Sequence, residues 1–378
     1  MKKAAFTSAA NTFLHMLADD KKSKYVIPVI TIILSMITAS VLLAILGKNP
    51  AVTLSGFLRG SGFLPRPAYA GGQSMLSDFM SFLGILAPML LASLGVSVAM
   101  RAGLFNIGTA GQMLAAGFTA TVFIGYSGLD AWVAKPLVIL IGMTAGGTIG
   151  AAIGFLKYKF NIHEVVSSIM FNYIISYVTG FFINGYYIDA ITRSSKLVSA
   201  ASRLTVTNIM AGSARLTFPI GIIIAVAMVF LMRFILDRTV VGFEIKAVGL
   251  NKRCAQYSGI RVGRITILSM FFSGILAGLA GVSYYLGFYS TIIPKELAGL
   301  GYDAIAAALL GNVSPLGCIF SSSLITIFQR GTVYMSSASG IPREIASVIT
   351  GILLLFSACG VFIRSWAVNQ LVKMERDA

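Results

Sequence analysis

Residues 81–126 read SFLGILAPMLLASLGVSVAMRAGLFNIGTAGQMLAAGFTATVFIGY, two uncharged stretches of 20 and 25 residues on either side of the single charge of Arg101. A helix needs about 20 apolar residues to cross the hydrocarbon core of a bilayer. The pattern recurs along the chain. Uncharged stretches run over 25–46, 81–100, 102–126, 136–156, 165–188, 216–232, 265–294, 304–329 and 345–363, together 204 of 378 residues, or 54%. Charged residues make up 11% of the chain and hydrophobic residues 57%, with mean hydropathy +0.86. A soluble domain carries about a quarter charged residues, so a soluble enzyme, a nucleic-acid-binding domain and a disordered chain are all excluded. The composition predicts an all-α polytopic membrane protein.

The formal net charge is +16, but the basic residues sit between the apolar spans, where they set topology, and they predict no nucleic-acid partner. Lys2, Lys3, Lys21, Lys22 and Lys24 put the N-terminus in the cytoplasm. A basic leader this long and a 22-residue apolar stretch suit an uncleaved first span over 25–46 better than a cleaved signal. Counting spans then puts 157–164 and 233–264 inside. The stretch 304–329 is broken by Gly311-Asn312-Val313-Ser314-Pro315, since the residue before Pro is disfavoured in helix and Gly weakens it. Split into two short helices, it brings the total to about ten helical segments, with residues 331–344 outside and both termini cytoplasmic. Eighteen Lys and Arg then fall on cytoplasmic segments and eleven outside. The expected organisation is a tail over 1–24, one transmembrane domain over 25–365 with a cytoplasmic loop at 237–264, and a tail over 366–378.

Cys254, Cys318 and Cys359 form no CxxC pair, and His163-Glu164 opens like an HExxH motif but meets Ser at position 167, so neither a disulfide framework nor a metal site is expected. Gly142, Gly146, Gly150 and Gly154 recur every four residues, as do Gly274 and Gly278. Such ridges of small residues let helices approach closely in lipid.

Ionisable residues within spans are costly and mark function. Asp78, Glu164 and Asp303 read as span-end residues, which disfavours a carrier with a midplane carboxylate and an intramembrane protease. Neutral polarity is what the spans hold. Gly103 to Gln112 sets Asn106, Thr109 and Gln112 among three glycines in an apolar run. Irregular backbone is tolerated at that depth only where protein buries it or water reaches it. The segment is therefore either a broken, cavity-lining stretch or a polar clasp between helices. Asn172 with Tyr173, and Asn312 with Ser314, repeat the pattern. Asn106, Gln112, Asn172 and Asn312 can hydrogen-bond a neutral polar solute, and Phe105 or Tyr173 can stack on it. In the loop 237–264, Asn251 suits an N-cap and Gly259 a C′ position. A short helix over 252–258 between Ala255 and Ile260 contacts is expected, lying along the membrane or serving as a plain connector.

Asp237 to Asn251 (DRTVVGFEIKAVGLN), running on to Tyr257-Ser258-Gly259-Ile260, resembles the coupling loop of bacterial ABC importer permeases in the branch serving branched-chain amino acids, simple sugars and nucleosides. Three more stretches agree in order and spacing. They are Arg101 to Met113, Asn161 to Val165 leading to Asn172-Tyr173, and Gly299 to Asp303 leading to Pro315-Leu316-Gly317. Over residues 75–365 the chain resembles the nucleoside-type subfamily, in particular the larger of its two permease subunits. Many members carry Glu where this chain has Ala110.

The resemblance implies a bacterial cell-membrane permease subunit that moves nucleosides by alternating access. The implied partners are a second, smaller permease subunit, an ATP-binding subunit and an extracellular substrate-binding lipoprotein that docks on 47–80 and 186–215. Glu244, Gly249, Asn251, Ala255, Gly259 and Ile260 would meet the ATPase, and Phe105, Asn106, Gln112, Asn172, Tyr173 and Asn312 would line the pathway. The chain has no GxxxxGK[ST] phosphate loop. It is therefore expected to be no enzyme and to bind no cofactor, ATP and Mg²⁺ being held by the partner. A simple-sugar permease and an ion-coupled secondary carrier are the alternatives.

Overall fold

The computed structural model describes residues 14, 17, 23–45, 47–67, 69, 74–211, 214–339, 348, 351–352, 355–356 and 359–377. Most of the expected tail 1–24 and nine residues of the last apolar stretch, 345–363, lie outside the described residues, as do 340–344 of the expected external loop.

Two compact units divide the chain, residues 1–60 with 328–378, and residues 61–327. In the first unit, α1 (Ser23–Ile45) is followed by α2 (Pro50–Gly60), and α13 (Gly360–Asp377) lies near the C-terminus. The other partner of α2 is the last part of α12 (Pro315–Ser339). A Cβ on Gly60 would meet Gly331 Cα at 2.9 Å, and Phe57 sets its ring edge-on to Phe328 at 5.1 Å. Leu14, Leu17 and Ala367 form a small apolar cluster with Val26, Ile30, Ile363 and Leu371. Helix α13 passes without a break through the boundary expected at 365–366.

The second unit holds the remaining elements. They are α3 (Met75–Arg101), α4 (Thr109–Ala120), α5 (Ala131–Phe160), α6 (Glu164–Phe182), β1 (Thr205–Ala211), β2 (Ala214–Pro219), α7 (Gly221–Arg238), α8 (Val240–Leu250), α9 (Lys252–Tyr257), α10 (Val262–Val282), α11 (Leu300–Leu310) and the first part of α12. Single π-helical stretches extend α4, α6 and α10 over Thr121–Gly125, Ile183–Tyr187 and Ser283–Tyr289. Among the described residues, four helices are long and apolar enough to cross a membrane, Met75–Arg101, Ala131–Phe160, Glu164–Tyr187 and Val262–Tyr289.

Helix α3 is the axis of this unit. Every residue from Leu86 to Ala99 is buried, as expected for a helix apolar on all sides. Ser74 caps its start by accepting from Ser77 N–H at 3.2 Å, and Asp78 in its first turn pairs with Arg66 at 2.8 Å. Helices α5 and α10 cross at their glycines. A Cβ on Gly146 would run into the Gly274 carbonyl and meet Gly278 Cα at 2.7 Å, and one on Gly150 would meet Gly274 Cα at 3.0 Å. In lipid no hydrophobic force drives such a contact, so close backbone packing supplies the attraction.

Three features differ from the sequence reading. The fold is mostly helical but not all-α, because β1 and β2 pair antiparallel, with Thr205 opposite Pro219 and Ala211 opposite Ala214. The β-branched run Thr205-Val206-Thr207 supplies the propensity. The apolar stretch 216–232 therefore begins in a strand, and its helix starts only at Gly221. The break before Pro315 falls where expected, with positive φ at Asn312 and Val313, but the second helix is not short and continues to Ser339.

The end of this unit carrying Arg101, Lys157 and Arg261 is termed the basic end, and the one carrying β1–β2 the hairpin end. At the hairpin end the segment 188–204 stitches the π-helical ends together. Ser199 N–H donates to the Gly125 carbonyl at 2.9 Å, Leu204 N–H to Leu286 at 3.1 Å and Val198 N–H to Ser290 at 3.2 Å. The Tyr126 hydroxyl donates to the Lys196 carbonyl at 3.1 Å.

Candidate functional site

At the basic end the loop 237–264 is a chain of capped helices. Thr239 accepts from Gly242 N–H at 3.2 Å and starts α8. Asn251 accepts from Arg253 N–H at 3.0 Å and Cys254 N–H at 3.1 Å, satisfying two orphan donors of α9. The helix ends in a Schellman motif, with Gly259 at φ +82°, Gly259 N–H donating to the Gln256 carbonyl and Ile260 N–H to that of Ala255, both at 3.0 Å. The expected short helix is therefore present, ending one residue early at Tyr257. Ala255 is buried, Ile260 is half-buried and Glu244 is half-buried on α8. Val240, Phe243, Leu250 and Tyr257 leave their side chains exposed, Tyr257 by 92%. Gly249 is held differently. Its Cα lies so close to Arg101 that an added Cβ would strike the Arg101 carbonyl.

At the same end, α6 begins after His163, whose Nδ1 accepts from Val165 N–H at 3.3 Å, while Lys157 pairs with Glu164 at 2.9 Å. His163 is thus a helix cap. No group of three His, Cys, Asp or Glu that could hold a metal occurs among the described residues.

The second site lies at mid-depth. After α3 the chain runs without helix from Gly103 to Gly108, and α4 starts beside Asn172, eight residues or about 12 Å into α6. Gly108 provides no side-chain cap, so neighbours supply acceptors. Asn106 Oδ1 accepts from Gly108 N–H and Asn172 Oδ1 from Gly111 N–H, both at 2.9 Å. Asn106 Nδ2 donates to Gln112 Oε1 at 3.0 Å and to Ser273 Oγ at 2.8 Å, and Asn172 Nδ2 to the Ile107 carbonyl at 3.1 Å. All four side chains are buried. They answer the requirement that irregular backbone within a membrane be satisfied by protein. Of the two readings of this segment, its geometry is that of the clasp.

Helix α11 starts at the same place from the other side. A Cβ on Gly301 would meet Ala110 Cα at 2.7 Å, and the Tyr302 hydroxyl lies 3.4 Å from Asn172 Nδ2. Helix α4 runs from here towards the hairpin end. Helix α11 runs towards the basic end, where Arg101 Nε donates to the Val313 carbonyl at 2.8 Å. Two half-spanning helices thus begin head to head, their N-terminal dipole ends converging at mid-depth, an arrangement that in transporters accompanies solute sites. Ala110 is fully buried against Gly301, so a side chain as large as Glu would have to displace α11.

The remaining sequence-predicted residues are dispersed. Phe105 is half-buried before the clasp, Asn312 exposed at the α11–α12 break, and Tyr173 exposed on the outer face of α6. Sequence reasoning missed Ser273, Tyr177, Lys295 and Tyr302. Tyr177 follows Tyr173 at i+4, a spacing that signals one helix face. Lys295 closes the uncharged stretch 265–294 and so reads as a loop residue, although Gly180 of α6 lies against it.

A model of the family described as branched-chain amino acid transport system / permease component matches residues 79–358. The nucleoside ABC transporter permease protein NupB of Lactococcus lactis subsp. cremoris (strain MG1363) is 32% identical over 347 residues, 90% of this chain and 92% of that one. The guanosine ABC transporter permease protein NupP of Bacillus subtilis (strain 168) is 33% identical over 346 residues, 90% of this chain and 95% of that one. The glucose ABC transporter permease protein TsgB13 of Haloferax volcanii is 24% identical over 289 residues, 75% of this chain and 76% of that one.

Proposed function

This chain belongs to the family of branched-chain amino acid transport system permease components, an integral membrane family, and from that premise we propose that it is the permease subunit of an ATP-driven nucleoside importer. The observation that carries the substrate class is that the relatives matching nine-tenths of the chain are nucleoside and guanosine permeases, whereas the glucose permease matches less of it at lower identity. A simple-sugar importer is the second reading, favoured by that weaker match.

In this reading the chain, with about ten spanning segments and cytoplasmic termini, forms half of a pathway that a second permease completes. The exposed Val240, Phe243, Leu250 and Tyr257, together with the capped α9, meet the ATP-binding subunit. That subunit holds ATP and Mg²⁺, and this chain carries out no catalysis itself. Gly249, Asn251, Ala255, Gly259 and Ile260 shape the contact, and Glu244 borders it. ATP-driven closure reaches the spans through Gly249, which abuts the end of α3. The clasp of Asn106, Gln112 and Asn172 braces the point where α4 and α11 begin, with Phe105 at its margin and Asn312 beyond the far end of α11. Alternating access follows when ATP binding favours one orientation of these half-helices over the other. A substrate-binding lipoprotein delivers solute at the hairpin end. Uptake of radiolabelled guanosine, adenosine, uridine and ribose into proteoliposomes holding the whole complex, with binding protein supplied outside, tests the reading. Nucleoside uptake is expected, and uptake of ribose alone would move the assignment to sugars.

A further inference from the structure

Between the π-helical end of α10 and the start of α11, residues 290–299 contain no helix, yet they travel from the hairpin end to mid-depth. At one end Ser195 N–H donates to the Ile292 carbonyl at 2.8 Å, tying the segment to the hairpin-end loop. At the other, Gly301 abuts Ala110 at the head-to-head junction. In between, Lys295 lies against α6. A Cβ on Gly180 would meet Lys295 Cγ at 2.7 Å and its main-chain N at 3.2 Å. Lys295 has a φ of +62°, uncommon for a residue other than glycine, and its ammonium stands 5.9 Å from the centroid of the Tyr177 ring.

Depth decides what this means. Tyr177 is ten residues from the hairpin-end limit of the α6 span at Tyr187 and thirteen from Glu164, about 15 and 20 Å respectively. Tyr177 is 61% exposed, and Tyr173, one turn nearer the basic end, is 57% exposed. Lys295 and Glu296 are exposed beside them, and Tyr302 and Asp303 follow at the start of α11. A lysine facing hydrocarbon costs about 2.5–3.5 kcal/mol even on the lenient insertion scale. Exposed irregular backbone is not tolerated there either, and tyrosines facing lipid concentrate at the interfaces rather than near the midplane. This face is therefore neither lipid-facing nor sealed within the chain, and water reaches it.

We propose that Lys295, with the exposed rings of Tyr173 and Tyr177, is this chain's solute-contacting surface in the pathway, and that it takes a neutral aromatic solute bearing hydrogen-bond acceptors. The proposal rests on the nucleoside-permease reading and names the residues that meet the base. A lysine offers three donors and no acceptor, which suits ring nitrogens and carbonyl oxygens. The exposed phenols offer flat surfaces at the separation of one helical turn, against which a base ring can lie.

The test uses the complete complex in proteoliposomes, with Cys254, Cys318 and Cys359 of this chain replaced by Ser and uptake retained. Cysteine is introduced singly at Lys295, Glu296 and Tyr177, and at Leu140 as a control exposed on the apolar face of α5. A membrane-impermeant methanethiosulfonate is expected to label the first three and not the fourth, and transported nucleoside is expected to slow that labelling. Separately, Lys295→Met is expected to raise KM for uptake by about tenfold, the loss of one charged hydrogen bond, with ATP hydrolysis by the complex unchanged. Nucleoside uptake with unlabelled or unprotected thiols, or an unchanged KM in Lys295→Met, would overturn the proposal alone. Uptake of ribose and of no nucleoside would overturn the substrate reading, and the proposal with it.

Discussion

Gly249 sits with its α-carbon against the main chain of Arg101, where an added Cβ would lie 3.0 Å from the Arg101 carbonyl carbon and 3.1 Å from that of Ala102. Gly103, at φ +68°, returns the contact, its own Cβ position lying 3.3 Å from the Gly249 carbonyl oxygen. The last turn of α8 is thereby locked to the end of the buried axial helix. A movement imposed on the loop 237–264 has no slack to absorb it before it reaches α3.

Gly249→Ala is expected to wedge this joint apart, at an overpacking cost of about 1–3 kcal/mol. Uptake falls while ATP hydrolysis by the assembled complex persists, the signature of uncoupling. Gly128→Ala, where nothing lies within 4 Å of an added Cβ, leaves both unchanged. Paired uptake and hydrolysis measurements on the two variants check this.

Asn251→Ala removes both hydrogen bonds that cap the start of α9 and costs about 1 kcal/mol of local stability. Amide hydrogen exchange over 252–257 should accelerate and coupled uptake should fall. Asn251→Asp keeps an acceptor for Arg253 and Cys254 N–H and is expected to restore both. A variant that loses uptake with α9 still protected would argue against a capping role.

Gln112→Ala strips Asn106 of one partner at a fully buried position. Leaving a buried polar group unmatched costs about 1–3 kcal/mol, so the melting temperature of the purified complex should drop and uptake should follow it. Lost uptake at unchanged melting temperature would instead make Gln112 a solute contact.

Gly278→Val places branched carbons where an added Cβ already comes within 2.9 Å of the Gly142 carbonyl carbon and 3.2 Å of Gly146 Cα. Helices α5 and α10 cannot then close, and the yield of folded protein should collapse. Phe230→Ala, on an exposed face of α7, should be tolerated in the same expression assay.

What the sequence made legible follows from how local each signal is. The helix break before Pro315, the Asn251 cap, the Gly259 C-cap and the glycine ridge each depend on a residue and its near neighbours, and the structure has all of them. The hairpin was missed because Thr205–Pro219 adjoins an apolar stretch whose hydrophobicity, not its β-branched run, dominated the reading. Lys295 was missed for a different reason. Nothing local says that residues 290–299 turn back beside Gly180, since that return is fixed by contacts with α6, more than a hundred residues away.

The most direct test of the account is guanosine flux into proteoliposomes holding this chain with the second permease and the ATP-binding subunit, measured with trapped ATP, without ATP, and with ionophores that collapse every ion gradient. The account predicts flux that requires ATP and the external binding protein and that ionophores leave unchanged. Flux through this chain alone, driven by an ion gradient in the absence of ATP, would contradict it.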